Sequence, residues 1–526
     1  MLSTVASYAC GVWYIAIWSV CLLGCSIARA KFLPSPDTRD DKDRLTKEGS
    51  DDVNPERVSI LRPLAGLDCN LFDNLCSSFE QRYPPDAFEV ILSVKSTEDT
   101  AYAVAKAVRE RYPHIRSRII VGDENAGVNP KINNLVRPYS TAAYDIIWVV
   151  DSQIWSPPGA LAEAVRTLTS KPPKPLPSFI PRSPHGTRVG LVHHVPFAIN
   201  PSTSWASQVE RAFLSTTHAK MYLAINSVVV DSCIVGKSNM YRKSDLDRIP
   251  DQRFGPDHGA FWRARQGLTG GDSGHENGPA MQLQGGALAG AISSKAFSIT
   301  AEEARRRAAR SKADPDAEPD FDTAQAGARP LARFGIYLAE DNMLGLALWN
   351  EPLHLAHVIS SAHPAHMSVG ELSSMWDYAH RRMRWIRVRR WMTFEATMVE
   401  PITESIVAGL MGWRAWSRLV VPVVDNWLLH HPECPAVLRL LPSIAIWGFL
   451  PLHFAAWYKT DRLVLEALSG GKKLPEHENA RFFWAWCTRE LLALPIWFWA
   501  MCGSTVNWRG TVYQILQDSR AAKVKQ

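Results

Sequence analysis

From Val5 to Ala28 the chain carries no charged side chain. As a helix these residues, about 24 of them, reach across a hydrocarbon core of about 30 Å. The run is too long for the apolar part of a signal peptide, and no convincing small-residue cleavage site precedes Arg29 and Lys31. It therefore reads as an uncleaved signal anchor over 1–30. Its cations lie on the C-terminal flank, which puts the N-terminus in the lumen and the following chain in the cytosol. Two later runs, Leu440–Tyr458 and Leu491–Trp508, are also uncharged and rich in Trp, the residue of membrane interfaces. At about 19 and 18 residues they sit at the lower limit for spanning. Pro401–Leu429 is apolar but holds Glu404, Arg414, Arg418 and Asp425. It is either a spanning helix with its polar groups turned to protein or an amphipathic pair in the interface. The expectation is one N-terminal span and two to three C-terminal spans, with 396–526 forming a membrane or interfacial domain.

Composition limits the rest. With 46% apolar and 21% charged residues among 526, disorder over most of the chain is excluded. A mean hydropathy of -0.13 is too polar for a channel or transporter that is membrane throughout. The net charge of +6 suits a membrane surface or an anionic substrate. The 9 cysteines include no CxxC pair, so neither a disulfide framework nor a zinc site is implied.

Between the apolar ends, 58–393 alternates strands and helices. Val58–Leu61, Glu89–Val94, Ser117–Val121 and Asp145–Val150 read as strands, with helical spacing over Leu71–Arg82 and Ala101–Tyr112. That alternation implies an α/β domain with a mostly parallel sheet. Two segments stand outside it, Pro- and Lys-crowded about 170–186 and Gly-, Ala- and charge-rich about 253–330, both read as disordered insertions. The Glu302–Arg307 charge run in the second reads as a solvated face, and no nucleic-acid role is assigned to it.

Ligands on parallel sheets bind at the carboxyl ends of the strands. Three acidic sites follow expected strands there: Glu98-Asp99, Asp151, and Glu340-Asp341 after Phe334–Leu338. Singly, each is equally a helix cap or turn residue. Together with a basic cluster downstream they match what sugar transfer from a nucleotide diphosphate requires. A hard divalent cation on carboxylate oxygens offsets the diphosphate charge, a second carboxylate takes the acceptor proton, and arginines grip the phosphates.

Gly127-Val128-Asn129-Pro130-Lys131-Ile132-Asn133-Asn134, Asp151-Ser152-Gln153-Ile154, Ala339-Glu340-Asp341 and Arg381-Arg382-Met383-Arg384-Trp385 together resemble the motif series of ceramide glucosyltransferases, a GT-A family with three aspartate motifs and a (Q/R)xxRW signature. Ile60–Gly66, Leu191–His193 and Cys233–Lys243 add to the likeness, which runs from about Val58 to Trp508. The resemblance implies a GT-A fold, UDP-glucose as donor, ceramide as acceptor, inversion at the sugar, and a Golgi or ER membrane with the catalytic domain facing the cytosol. Carried over by residue, it implies that Asp99 lies near the uracil and ribose. Asp151 would hold the diphosphate and a Mg²⁺ or Mn²⁺ ion, and Asp341 would deprotonate the ceramide hydroxyl. Lys131 and Arg384 would bind the diphosphate, and Trp385 and His193 would line the acceptor site. Arg381, Arg384 and Trp385 form the signature; the overlapping register Arg387-Arg390-Trp391 reads instead as part of a basic face toward anionic lipid with Arg389. Because Asp341 opens a helix, its dipole is expected to favour the ionised carboxylate. Gln153 departs from a Gly common in the second motif. The competing readings are a related membrane transferase with a polyprenyl phosphate or polysaccharide acceptor, and an inactive sphingolipid-binding scaffold.

Overall fold

A computed structural model describes residues 2–34, 55–173, 188–228, 233–249, 330–350, 353–370, 372–431, 440–508 and 510–524, with the isolated residues 186, 433 and 435. The expected insertion at about 253–330 lies outside the described residues but for its last position, as does most of that at about 170–186.

After a long helix α1 (Leu2–Phe32) the chain builds β1 (Val58–Pro63), α2 (Leu71–Phe79), β2 (Phe88–Val94), α3 (Thr100–Arg111), β3 (Ser117–Val121), α4 (Pro130–Thr141), β4 (Ile146–Val150), β5 (Ile154–Trp155) and α5 (Ala160–Thr169). There follow β6 (Val189–His193), β7 (Pro196–Pro201), α6 (Trp205–Phe213), a π-turn at Leu214–His218, α7 (Ala219–Val228), β8 (Ser238–Arg242), α8 (Glu340–Trp349), β9 (Ala356–Ile359), β10 (Ala365–Gly370) and α9 (Met375–Arg389). Seven strands form one sheet in the order β3-β2-β1-β4-β8-β6-β9, in which every pairing is parallel except those of β8. This is the mostly parallel α/β sheet expected. Its central strands are apolar on both sides because both faces are covered. Ile146, Trp148 and Val150 enter one core, and Ile147 and Val149 the other.

Phe334–Leu338 is not the expected strand. Ala332–Ile336 forms a 3₁₀ turn, and its neighbouring backbone is satisfied by Asn129. The Gly335 carbonyl accepts from Asn129 N at 2.8 Å, and Asn129 Nδ2 donates to the Tyr337 carbonyl at 2.8 Å. An apolar run of five residues looks the same in either state from sequence.

The C-terminal part holds α10 (Ser405–Ala415), α11 (Val421–Leu429), α12 (Leu441–Leu468), α13 (Glu476–Met501) and a small antiparallel sheet of β11 (Thr505–Trp508), β12 (Thr511–Ile515) and β13 (Ala521–Lys523). The uncharged run Leu491–Trp508 is therefore split: its helix stops at Met501 and its last residues are a strand. A π-turn at Trp416–Val420 joins α10 and α11 into one helical run. Among the described helices only one, Ser3–Phe32, is long and apolar enough to cross a membrane. That helix packs along α10 and α12 and against α7, so closely that a side chain at Gly24 would overlap the Lys220 carbonyl. Lys220 itself is fully buried in an ion pair with Asp461 of α12 at 2.7 Å.

Candidate active site

The loop after β1 organises the carboxyl edge of the sheet. Asp99 caps α3 by accepting from Ala101 N at 2.9 Å, and the same oxygen accepts from Gly66 N at 2.9 Å. Asp68, two residues on, accepts from the Ser152 hydroxyl. Arg62, completely buried at the end of β1, donates to the carbonyls of Ser152 at 3.3 Å and Ile154 at 3.1 Å. Asp99 and the Asp151 turn are thus fastened to one loop. That turn closes through Ile154 N to the Asp151 carbonyl at 3.0 Å. Gln153 is not among the described residues with positive φ, so a side chain there costs no backbone strain where a Gly is common.

The VNPKINN segment starts α4. Asn129 caps it, accepting from Lys131 N at 2.9 Å, and Pro130 takes the first helical position, where no donor is needed. This aims Lys131 across the edge. Its Nζ lies 2.8 Å from Asp151 Oδ1 and 3.0 Å from Glu340 Oε1, and donates to the Gly236 carbonyl at 2.8 Å. Lys237 reaches the other Asp151 oxygen at 3.0 Å. Burial works against both charges, but the pairs prevail. Asp151 is held below the usual carboxylate range by Lys131 and Lys237, and Lys131 is raised by Asp151 and Glu340. Lys131 therefore joins the second and third aspartate motifs, which lie far apart in sequence.

Asp341 stands in the first turn of α8. Oδ2 accepts from Gly236 N, and Oδ1 accepts from Asn342 N at 2.9 Å. Three successive amides of the loop before β8 are held in this way: Ile234 N donates to Asn342 Oδ1 at 3.1 Å, Val235 N to the Tyr222 hydroxyl at 3.3 Å, and Gly236 N to Asp341. Any side chain at Gly236 would place its Cβ 2.8 Å from Asp341 Oδ2. Burial, reinforced by Glu340, pushes the Asp341 carboxyl up to about 6, against Lys131 and the two amides. Desolvation thus outweighs the helix dipole in setting the direction of the shift, while a carboxyl at about 6 is still ionised at neutral pH, as expected.

His193 ends β6 fully buried, its Nδ1 sharing a short hydrogen bond with the Tyr222 hydroxyl. The Tyr222 ring stacks on His218 at 5.7 Å between centroids, and His218 lies 6.1 Å from Trp385 of α9. The two residues expected at an acceptor site, His193 and Trp385, are thus joined by a ladder of rings. Arg381 pairs with buried Glu210 at 3.0 Å. Arg384 lies 5.8 Å over the ring of Trp508. That ring packs with the C-terminal sheet onto Leu338, three residues before Asp341.

The arginines expected to face lipid do something else. Arg387 donates to the carbonyls of Trp499 at 2.9 Å, Ala500 at 3.0 Å and Thr505 at 2.6 Å, and Arg390 to that of Met501 at 3.2 Å. Arg389 pairs with Glu400. A helix end leaves four carbonyls unsatisfied, and these guanidinium groups close off that of α13.

Sequence reasoning gave no separate role to Lys237, Glu340, Arg62, Tyr222 and His218. The first three lie inside the quoted motifs and were passed over for their neighbours. Nothing in sequence flags Tyr222 or His218. Asp151 is the residue that would hold the expected divalent cation, and its two oxygens face Lys131 and Lys237. Among the described residues no three His, Cys, Asp or Glu groups converge as a metal site. No step below is routed through a metal.

The ceramide glucosyltransferase of Komagataella phaffii is 30% identical over 550 residues, covering 98% of this chain and 91% of the relative. That of Pyricularia oryzae is 28% identical over 549 residues, covering 98% and 95%. Among solved structures, the mannosyltransferase PcManGT from Pyrobaculum calidifontis aligns over 88% of this chain and 98% of its own at 13% identity. Its TM-score of 0.33 is too low to bear on fold or chemistry. The model of glycosyl transferase family 21 matches residues 13–250 and 328–521, on both sides of the insertion. With the Lys131-centred cluster at the sheet's carboxyl edge and that match over most of its length, the chain belongs to glycosyl transferase family 21.

Proposed function

We propose that this enzyme transfers glucose from UDP-glucose to the primary hydroxyl of ceramide, yielding glucosylceramide and UDP. The relatives that align with nearly the whole chain bear the name ceramide glucosyltransferase, which supports the overall reaction. The observation that carries the mechanism is the bridge Asp151–Lys131–Glu340 beside Asp341. Asp341 removes the proton of the acceptor hydroxyl as its oxygen attacks the anomeric carbon. The bond from that carbon to the diphosphate breaks on the opposite face, and its electron pair leaves with UDP, so the sugar inverts. Lys131 and Lys237, paired with Asp151 and Glu340 in the described site, would turn to the departing diphosphate when donor is bound. Asp99 and Arg384 complete the donor side, the first at the nucleoside and the second at the diphosphate.

Ceramide is insoluble in water and reaches the site from the bilayer. We place the protein in a Golgi or ER membrane with the sheet on the cytosolic side. In support, Lys31 at the cationic end of α1 donates to the Ile359 carbonyl at 3.1 Å, tying that end to the sheet domain. The C-terminal helices are read as further membrane-embedded elements because Trp447, Leu452 and Trp484 are 80%, 71% and 61% exposed.

Membranes holding the protein, given radiolabelled UDP-glucose, UDP-galactose or GDP-mannose with ceramide, diacylglycerol or polyprenyl phosphate, test this reading. Label is expected from UDP-glucose into ceramide; label in the polyprenyl lipid instead overturns it. EDTA tests the cation at Asp151: transfer abolished by chelator and restored by Mg²⁺ or Mn²⁺ supports it, and transfer unaffected by chelator leaves the diphosphate to Lys131 and Lys237.

A further inference from the structure

The ladder between His193 and Trp385 contains a group that neither fold nor proton transfer uses. His218 closes the π-turn, a one-residue excess that helices keep mostly at functional sites. Its ring is fixed on three sides, by Tyr222 at 5.7 Å, Phe213 at 5.3 Å and Trp385 at 6.1 Å. Yet Nδ1, shut off from water, has no hydrogen-bond partner among the described residues. A buried nitrogen left unmatched is unfavourable, and that cost is removed when a partner arrives. His193 Nε2, at the other end of the ladder, is likewise unmatched.

The position of the ladder defines what that partner must be. Tyr222, the rung between His193 and His218, holds the amide next to the one that holds Asp341. Two residues after the π-turn, Lys220 of α7 is packed against α1 and paired with Asp461 of α12. On the proposed reaction, an acceptor coming to Asp341 from the apolar helices would run along the His218 ring, which lies between that packed helix and the loop before β8. Its neighbours are aromatic, so apolar parts of such a molecule have ample contact and only a polar group gains from Nδ1. Burial and the charges of Arg382, Arg389 and Arg489 hold the His218 ring down at about 3, so at neutral pH it is uncharged and recognises a neutral donor or acceptor rather than an anion.

We infer that His218 is a specificity-determining residue that hydrogen-bonds a polar backbone group of the lipid acceptor, its amide or secondary hydroxyl, and not the hydroxyl that is glycosylated. The inference rests on the proposed acceptor class. It explains how a site entered from lipid rejects alcohols that share the primary hydroxyl but lack the neighbouring amide or hydroxyl. Losing one such hydrogen bond in a closed site costs about 10–100-fold in kcat/KM.

The test measures kcat/KM of the full-length enzyme in nanodiscs on ceramide, 3-deoxyceramide and N-methylceramide. Three forms are compared: wild type, His218→Phe and His218→Asn. Phe keeps the stacking without the nitrogen, and Asn returns a polar atom near the Nδ1 position. Wild type is expected to prefer ceramide over at least one analogue by about tenfold or more. His218→Phe is expected to abolish that preference mainly through KM, and His218→Asn to recover part of it. Equal losses on all three lipids for His218→Phe, or an unchanged preference, overturn the inference while leaving the proposed reaction standing. No turnover of ceramide by wild type overturns both. If His218→Phe does not fold, His218→Asn decides alone: a preference reduced below wild type or shifted toward an analogue supports a contact at Nδ1, and an unchanged preference or a uniform loss on all three lipids refutes it.

Discussion

A carboxylate that must lift a proton from an alcohol gains from a proton affinity above that of an exposed acid, and the surroundings of Asp341 move it that way. With its carboxyl at about 6, kcat/KM is expected to fall about tenfold per pH unit below that point, because the protonated acid accepts nothing. A profile flat down to the ordinary carboxylate range would place the base elsewhere. The sign for stability is opposite. A folded-state value above the unfolded one makes ionisation unfavourable to the fold, so the contribution of Asp341 is lost as pH rises through about 6. Asp341→Asn is expected to lower kcat by about 10²–10⁴ while UDP binding, measured by calorimetry, is retained. Gly236→Ala pushes directly on the same carboxylate. It should cut kcat with little change in the affinity for UDP, whereas an equal loss of both would mean the loop serves the donor instead. Asp151, Lys131 and Asp341 were legible as candidates because carboxylate and lysine chemistry narrows the choice of residue type. Tyr222 and His218 were not, since a ring inside an apolar helix reads as core until its partners are seen.

At the scale of elements, the strands of the parallel sheet were legible because burial on both faces leaves unbroken apolar runs such as Ile146–Val150. The failures came where local polar partners override pattern. Asn129 draws the backbone of 332–337 away from a strand, and Arg387 and Arg390 turn from the expected lipid face to the end of α13. Arg387→Ala should strand several carbonyls and lower stability by about 1–3 kcal/mol, read as a drop in the unfolding midpoint in detergent. The Lys220–Asp461 pair offers a sharper contrast. Both side chains are fully buried, so Lys220→Met alone is expected to cost about 3–5 kcal/mol by leaving Asp461 unpaired. Joined to Asp461→Leu it should recover most of the loss. If the double variant is no more stable than the single, the pair is not what fastens α7 to α12.

For the whole molecule, the sheet domain and the apolar helices form one continuous packing, through α1 against α7, α10 and α12 and through α9 against α13. The sequence reading expects two to three further spans at the C-terminal end, but among the described helices only the first is long and apolar enough to cross a membrane. The C-terminal helices mix charged turns with exposed Trp and Leu, and composition averages the two. The protein is expected to stay in the membrane pellet after alkaline carbonate, and release into the supernatant would remove the lipid-side entry on which acceptor access depends. The decisive measurement is cryo-electron microscopy of the full-length Asp341→Asn enzyme in nanodiscs with UDP-glucose and ceramide. The diphosphate should lie against Lys131 and Lys237, with the ceramide primary hydroxyl about 3 Å from residue 341 and its chains leading toward the apolar helices. A nucleotide bound away from Lys131, or a lipid hydroxyl out of reach of residue 341, would contradict that convergence.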